Sequence, residues 1–316
     1  MKKLLLILTT LTVVVSCGGR QGKKAAASAE NVAAQKVYPM PKVPSMIVEP
    51  EEIGRYVAQH YWDAFDFADT TLIGKADYTE QALADYLPVI QNAPRDVASQ
   101  SIGTLFKRAA VDKAMFQHFA ELAEKYLFDP NSPFRNDELY IAVLESVLAN
   151  PSLDEWERIR PQEQLRMQLK NRVGTPAADF TYTLASGAQG KLYGIKAPYT
   201  LIFINNPGCP ACRETTEQIE ATPYLKAMIN DRTLVVLAIY PDEELDKWRE
   251  YAPNIPDEWI NSYDKERVMK ADELYDLKAI PTLYLLDRDK RVMLRDETSV
   301  QRIAETLYNA SLADSD

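Results

Sequence analysis

Two cysteines three positions apart, Cys209 and Cys212, stand in Asn205-Asn206-Pro207-Gly208-Cys209-Pro210-Ala211-Cys212-Arg213. A thiolate attacks disulfide sulfur, and a second thiol close behind it can resolve the mixed disulfide that forms. Cysteines at this spacing on a first helical turn can also close a short disulfide, one sulfur open to a partner and the other behind it. The run Leu201-Ile202-Phe203-Ile204 just before them reads as a buried strand. The stretch Glu214-Thr215-Thr216-Glu217-Gln218-Ile219 after them is helix-compatible, with acids in its first turns. The pair therefore falls where a strand hands over to a helix N-terminus. Unpaired N–H groups and the positive end of the helix dipole favour an anion there, here the thiolate of Cys209. Cys209 is expected to be the more acidic, accessible thiol and Cys212 the buried one.

A chain of 316 residues has room for two domains, and 46% hydrophobic with 26% charged residues is the composition of a globular protein. A formal charge of −10 argues against nucleic acid as a partner. A closed zinc site needs four Cys or His ligands or nearby carboxylate substitutes, and three cysteines with two well-separated histidines argue against one, so no metal is expected and the redox-active sulfur pair needs no cofactor.

The chain opens on a targeting pattern. Lys2 and Lys3 precede an apolar run, Leu4 to Val15, too short to span a bilayer comfortably; Ser16 and Cys17 follow. This resembles a bacterial lipobox, with Val14 where leucine is commoner. The resemblance implies cleavage before Cys17, lipidation of its sulfur, and a membrane-anchored protein facing the periplasm. An ordinary secretory signal cleaved elsewhere is the alternative. Either exports the chain to an oxidising compartment, where a Cys-x-x-Cys pair can cycle. Residues 1–16 are thus expected to be signal peptide and 17–49 a linker, rich in Gly, Ala, Lys and Ser and then in Pro39, Pro41 and Pro44. Arg20, Lys23 and Lys24 read as part of a solvated tether.

Residues 50–172 read as a helical domain. Apolar residues recur at helical spacing over Ile53, Tyr56, Val57, Tyr61, Ala64 and Phe65, and again over Leu83, Tyr86, Leu87 and Ile90. Two further stripes run from Phe116 to Leu127 and from Leu139 to Leu148, the second behind Asn136 as a cap; Asp129-Pro130-Asn131-Ser132-Pro133 separates them. Ser152 and Glu155 suggest a capping box for a helix carrying Trp156 and Ile159. About five helices are expected. His60 and His118 lie on or beside apolar faces and read as hydrogen-bonded core residues. Tyr56, Tyr61, Trp62, Phe65 and Phe67 read as core, with a partner groove as the alternative.

Residues 173–316 read as α/β. A hairpin is expected from Val173–Tyr182 through Ser186–Gly190 to Lys191-Leu192-Tyr193. Strands follow at 200–204, 233–240, 282–286 and 291–294, with a further candidate at 259–264. Helices are expected at 210–228, 243–251 and 300–312. The step from Leu201 to Ile239 asks for parallel neighbours, whereas Asp287-Arg288-Asp289-Lys290 is short enough only for a hairpin.

Gly-x-x-x-x-Asp-Phe, strand, Cys-x-x-Cys, strand, Ile280-Pro281-Thr282, hairpin and closing helix together resemble the thioredoxin superfamily. The branch most similar is the tethered or exported TlpA/ResA-like thiol–disulfide oxidoreductases. The likeness covers about residues 173–312, and the helical portion resembles in architecture the extensions on Bacteroidetes lipoproteins of this type. It implies a central mixed sheet flanked by helices, with Cys209, Cys212 and Pro281 as the catalytic set. It further implies a cis Pro281 facing an active-site disulfide, with Pro210, Ala211, Ile280 and Thr282 meeting the substrate. The expected partners are protein thiols and disulfides, plus a redox donor or acceptor.

Three departures stand out. Gly208 replaces the tryptophan usual before the first cysteine, Phe203 stands where a buried aspartate assists the resolving thiol, and Thr215 where ResA-like proteins often carry glutamate. Glu214, Glu217 or water would then serve Cys212, and Arg213 is a candidate for stabilising thiolate. Two other readings compete. In a peroxiredoxin-like thiol peroxidase a threonine or serine stands three before the peroxidatic cysteine, where Asn206 precedes Cys209. In a partner-binding or redox-sensing protein the α/β part would serve as scaffold.

Overall fold

A computed structural model of the chain describes residues 38–313. The signal peptide expected at 1–16, Cys17, Arg20, Lys23, Lys24 and most of the 17–49 linker lie outside the described residues.

The helical part has six α-helices: α1 (Pro50–His60), α2 (Thr79–Gln91), α3 (Arg95–Ala109), α4 (Lys113–Leu127), α5 (Asp137–Leu148) and α6 (Glu155–Gln168). Side-chain oxygens start three of them, α6 through the capping box of Asp154. Asp112 Oδ1 accepts the Met115 N–H at 2.9 Å for α4, and Asn136 accepts that of Leu139 at 3.1 Å for α5, as expected. The core is built on aromatic rings, with Trp62 edge-on to Phe119 at 5.3 Å and to Tyr86 at 5.2 Å. Tyrosine hydroxyls inside it stay paired: Tyr61 to Ala82 O at 2.9 Å, Tyr38 to Tyr61 O at 2.6 Å.

Several expectations need correction here. α3 was hidden in the sequence because Ser101, Gly103 and Thr104 interrupt its apolar face, although Val97, Ile102, Leu105 and Phe106 are buried. The capping box of α6 is Asp154 with Glu157, not Ser152 with Glu155. Trp156 is 82% exposed and Ile159 exposed, so these two residues face outward while Leu165 of the same helix packs against the core. His60 is not core: it stacks on Tyr56 at 4.2 Å and pairs with Asp63 at 2.7 Å, 42% exposed. His118 is half-buried, and its Nε2 is buried without a hydrogen-bond partner among the described residues.

The α/β part is one seven-stranded mixed sheet. Its strands are β1 (Thr181–Leu184), β2 (Gln189–Lys191), β3 (Tyr199–Ile204), β4 (Leu234–Tyr240), β5 (Ile260–Tyr263), β6 (Thr282–Leu286) and β7 (Val292–Glu297), in the order β2-β1-β5-β4-β3-β6-β7. β3 runs parallel to β4, which runs parallel to β5; the other neighbours are antiparallel. All six residues of the central β3 are buried, the pattern of a strand covered on both faces. Phe203, Leu283 and Leu285 lie on the face shared with Cys212, Ile219 and Ile303. Ile204, Tyr284 and Leu286 lie on the opposite face with Phe180 and Tyr275.

Five helices of this part complete the numbering: α7 (Pro210–Ala221), α8 (Pro223–Asn230), α9 (Leu245–Tyr251), α10 (Val268–Ala271) and α11 (Val300–Ala313). The single helix expected at 210–228 is two, because Pro223 forces the preceding Thr222 into an extended conformation. The hairpin's second arm is Gln189–Lys191, and Leu192–Gly194 form a 3₁₀ turn. Among the described residues, no helix is long and apolar enough to cross a membrane.

Candidate active site

β3 delivers the chain to the sulfur pair. Its last ladder residue, Ile204, pairs with Ile239 and Thr282, and Asn205 then anchors the turn by donating its N–H to Ile239 O at 3.1 Å. The chain reverses through Asn206-Pro207-Gly208, where Gly208 takes φ +75°, a region glycine enters without steric cost. The departure from tryptophan at this position thus coincides with a turn that suits glycine.

Cys209 is the N-cap of α7, with Pro210 at the first helical position. Its Sγ accepts the backbone N–H of Cys212 at 3.1 Å, the place a capping oxygen would take. The two cysteines are joined as a disulfide with Cα atoms 5.2 Å apart. Cys212 is 1% exposed and set into the face with Phe203 and Ile219, while Cys209 is only partly covered. Ile280 O lies 3.7 Å from Cys209 Sγ, and the Ile280–Pro281 peptide bond is cis. The fold thereby brings Cys209, Cys212, Ile280 and Pro281 together.

The other singled-out residues divide. Pro210 and Ala211 are exposed beside the disulfide, Ile280 is partly exposed, and Pro281 is buried. Thr282 is fully buried, and its hydroxyl donates to Asp296 Oδ1 at 2.8 Å, so its side chain serves the interior. Arg213 is exposed and pairs loosely with Glu217 at 3.9 Å; its side chain reaches into solvent. Behind Cys212, Phe203 is fully buried and edge-on to Trp259 at 5.7 Å, and Thr215 is buried. Glu214 and Glu217 are exposed.

Sequence reasoning missed two features. A cleft of about 380 Å³ opens beside the turn, lined by Pro207, Gly208, Lys247, Glu250, Tyr251 and Asn254. Only the fold reveals that α9 borders it. Asp296, hydrogen-bonded to the residue after Pro281, was also missed, because a charged residue in a strand reads as a solvent-facing one. Burial pushes its carboxyl above the ordinary carboxylate value, and Arg135 and Thr282 pull it back only in part. Among the described residues, no group of three or more His, Cys, Asp or Glu could hold a metal ion.

Residues 16–171 match a family model described as a domain of unknown function (DUF5106). No curated protein matches the chain. Among solved structures, a thioredoxin-like protein from Bacteroides caccae is 49% identical, covering 86% of this chain and 98% of its own, with a TM-score of 0.80. The C-terminal domain of an uncharacterized protein from Bacteroides fragilis is 52% identical over 44% of this chain and 98% of its own, with a TM-score of 0.43. The thioredoxin domain of a thiol–disulfide oxidoreductase from Bacteroides vulgatus is 19% identical over 46% and 99%, with a TM-score of 0.35.

Proposed function

The chain belongs to the thioredoxin-like family, and from that premise we propose that it is a lipid-anchored thiol–disulfide oxidoreductase acting on exported proteins. The observation that carries this reading is the placement of Cys209: partly open, at a helix N-terminus, with a backbone N–H aimed at its sulfur. Such a sulfur is held ready as a thiolate once the disulfide is reduced. In the reductive direction, the Cys209 thiolate attacks one sulfur of a client disulfide. A mixed disulfide forms and the client's other sulfur leaves as thiolate. Cys212, as thiolate, then attacks Cys209 Sγ, releasing the second client sulfur and closing Cys209–Cys212. Two electrons pass to the client, whose two sulfurs take up two protons, and a separate redox donor must return the pair to the dithiol. The same steps reversed oxidise a client. Pro210, Ala211, Ile280 and the backbone at Pro281 and Thr282 form the docking ground around the sulfur.

Reduction of insulin disulfides by the dithiothreitol-recycled protein tests this. Cys209→Ser should abolish the activity, and Cys212→Ser should accumulate mixed disulfides whose trapped members identify the clients. Wild-type turnover in Cys209→Ser would sink the reading, and turnover of peroxide without insulin reduction would favour the peroxidase. Anchoring at Cys17 and exposure to the periplasm belong to the same proposal. Fatty-acid labelling should be lost in Cys17→Ala, with the chemistry of the sulfur pair unchanged, and label that persists would refute it.

A further inference from the structure

The helical part does not simply sit beside the sheet. The segment 272–282, which ends in the cis peptide against Cys209, is bound by it at its start, middle and end. At the start, Asn171 Nδ2 donates to Leu274 O at 2.7 Å, Lys170 Nζ to Glu273 O at 2.6 Å, and Arg166 pairs with Glu273. In the middle, Lys278 Nζ stands 4.4 Å above the ring of Phe128, which is itself stacked on Tyr140 at 4.8 Å. At the end the link is a fork. Arg135, in the turn between α4 and α5, donates from Nη1 to Asp296 O at 3.0 Å and from Nη2 to Asp296 Oδ2 at 2.7 Å. The other carboxylate oxygen of Asp296 accepts the hydroxyl of Thr282.

Backbone geometry shows why Asp296 reaches Thr282. The β6–β7 register shifts between the Leu283↔Glu297 and Leu285↔Leu294 pairs, the mark of a bulge, which re-aims a side chain. Asp296 has φ +46°, a conformation that side chains rarely adopt and that surroundings must hold in place. Arg135 grips both its main-chain oxygen and its carboxylate. Thr282 stands opposite Ile204 in the β3–β6 ladder and so faces the side away from α7. The grip therefore comes from beneath, leaving the Cys209 side of the loop open.

We propose that Arg135 is a positioning residue for client docking: through Asp296 and Thr282 it fixes the Ile280-Pro281 loop against Cys209, making the helical domain part of the substrate-binding apparatus. The client role rests on the disulfide-exchange reading above; the positioning itself does not. Without Arg135, Asp296 would be a partly buried carboxylate repelled by nearby Asp276 and Asp137. An uncompensated buried charge moves or takes a proton, and Thr282 would lose a fixed partner. Lysine could supply the charge but not the two-pronged hydrogen bonding.

Two measurements on the full chain, with Arg135→Ala and Arg135→Lys, decide the matter. In hydrogen–deuterium exchange, peptides spanning 276–284 should exchange faster in Arg135→Ala, with α1–α3 and α7 at wild-type protection. Unchanged exchange at 276–284 overturns the proposal whatever the enzyme does. In insulin reduction, Arg135→Ala should raise KM about tenfold, while kcat and reaction of the dithiol with glutathione disulfide stay within about twofold. Arg135→Lys should recover part of the loss. A loosened loop with unchanged KM overturns the docking role, as would equal losses with insulin and glutathione disulfide. If wild type and Cys209→Ser reduce insulin alike, the disulfide-exchange reading fails and the docking role with it, while the exchange data still judge the positioning.

Discussion

The two sulfurs should differ in reactivity by an amount the geometry sets. In the reduced protein the Cys209 thiolate is stabilised by the Cys212 N–H, 3.1 Å from Sγ in the bonded form, and by the α7 N-terminus. A hydrogen bond to a charged group contributes about 1.5–3 kcal/mol and a helix N-terminus about 0.3–1 kcal/mol. Taking the low end of both gives about 2 kcal/mol, which corresponds to about thirtyfold more thiolate at fixed pH. Among the described residues no comparable donor meets the sulfur of Cys212, which is 1% exposed behind Cys209 and has far less access to reagent. The reduced protein, given limiting iodoacetamide at pH 6 and read by peptide mass spectrometry, should therefore carry label on Cys209 at least about thirtyfold in excess. The donor is a backbone amide, so Cys212→Ala should leave the Cys209 rate within about twofold. Equal labelling, labelling of Cys212 first, or collapse of Cys209 reactivity in Cys212→Ala would refute the reasoning.

Three more perturbations follow from particular contacts. Phe203→Ala removes a fully buried ring set against Trp259 and should destabilise the chain by about 3–5 kcal/mol; an unchanged urea midpoint would contradict the packing. Gly208→Ala meets no atom within 4 Å, so its cost is backbone strain at φ +75°, about 1–2 kcal/mol, and thermal unfolding should detect it. Burial holds His118 below the ordinary histidine value, so the unfolded chain binds the proton more readily and stability falls as pH drops through about 6.5. His118→Gln should flatten the fall in Tm between pH 7.5 and pH 5.5; an identical pH slope in both proteins would exclude His118 as its source.

What could be read from the sequence was what local chemistry dictates. The apolar run 201–204 had to be a covered strand, the proline and glycine around 207–210 had to turn the chain, and Cys-x-x-Cys had to open a helix. The pairing of that helix start with Ile280-Pro281 came from the resemblance, since no local rule brings residues some seventy positions apart into contact. The misreadings were local ambiguities settled by neighbours. The helix α3 keeps a buried face despite serine and glycine because its buried Ser101 hydroxyl finds Tyr86 and Ala58 O. The helix carrying Trp156 starts two residues later than its sequence suggests, at the capping box of Asp154 and Glu157, and the ring is left to solvent. The fork from Arg135 was invisible for a different reason. It depends on a one-residue bulge and on the docking of two parts of the chain, neither of which has a sequence pattern.

Phe203 and Thr215 raise the question of where the proton on Cys212 goes. Cys212 must be a thiolate to resolve the mixed disulfide, and burial favours the neutral thiol. Phe203 packs in the same apolar cluster as Cys212, and Thr215 follows three residues on in α7; both are buried. The nearest carboxylates in sequence, Glu214 and Glu217, are exposed, and Glu220 lies eight residues on, about 12 Å further along the helix. We therefore expect solvent, rather than a carboxylate of α7, to take the proton. Below the thiol's own titration, the rate of resolution should rise about tenfold per pH unit, in step with thiolate, with no plateau in the carboxylate range. Stopped-flow decay of a mixed disulfide between Cys209 and a fluorescent thiol, followed from pH 5 to pH 8, measures this directly. Thr215→Glu would set a carboxylate three residues beyond Cys212 on the same helix, one turn away. It should raise the rate at pH 6 by at least about tenfold, because a positioned base typically contributes more than that, and should bring an inflection where the new acid titrates. If the wild-type profile already bends between pH 5 and pH 7, a carboxylate serves Cys212 after all, and the solvent route is wrong.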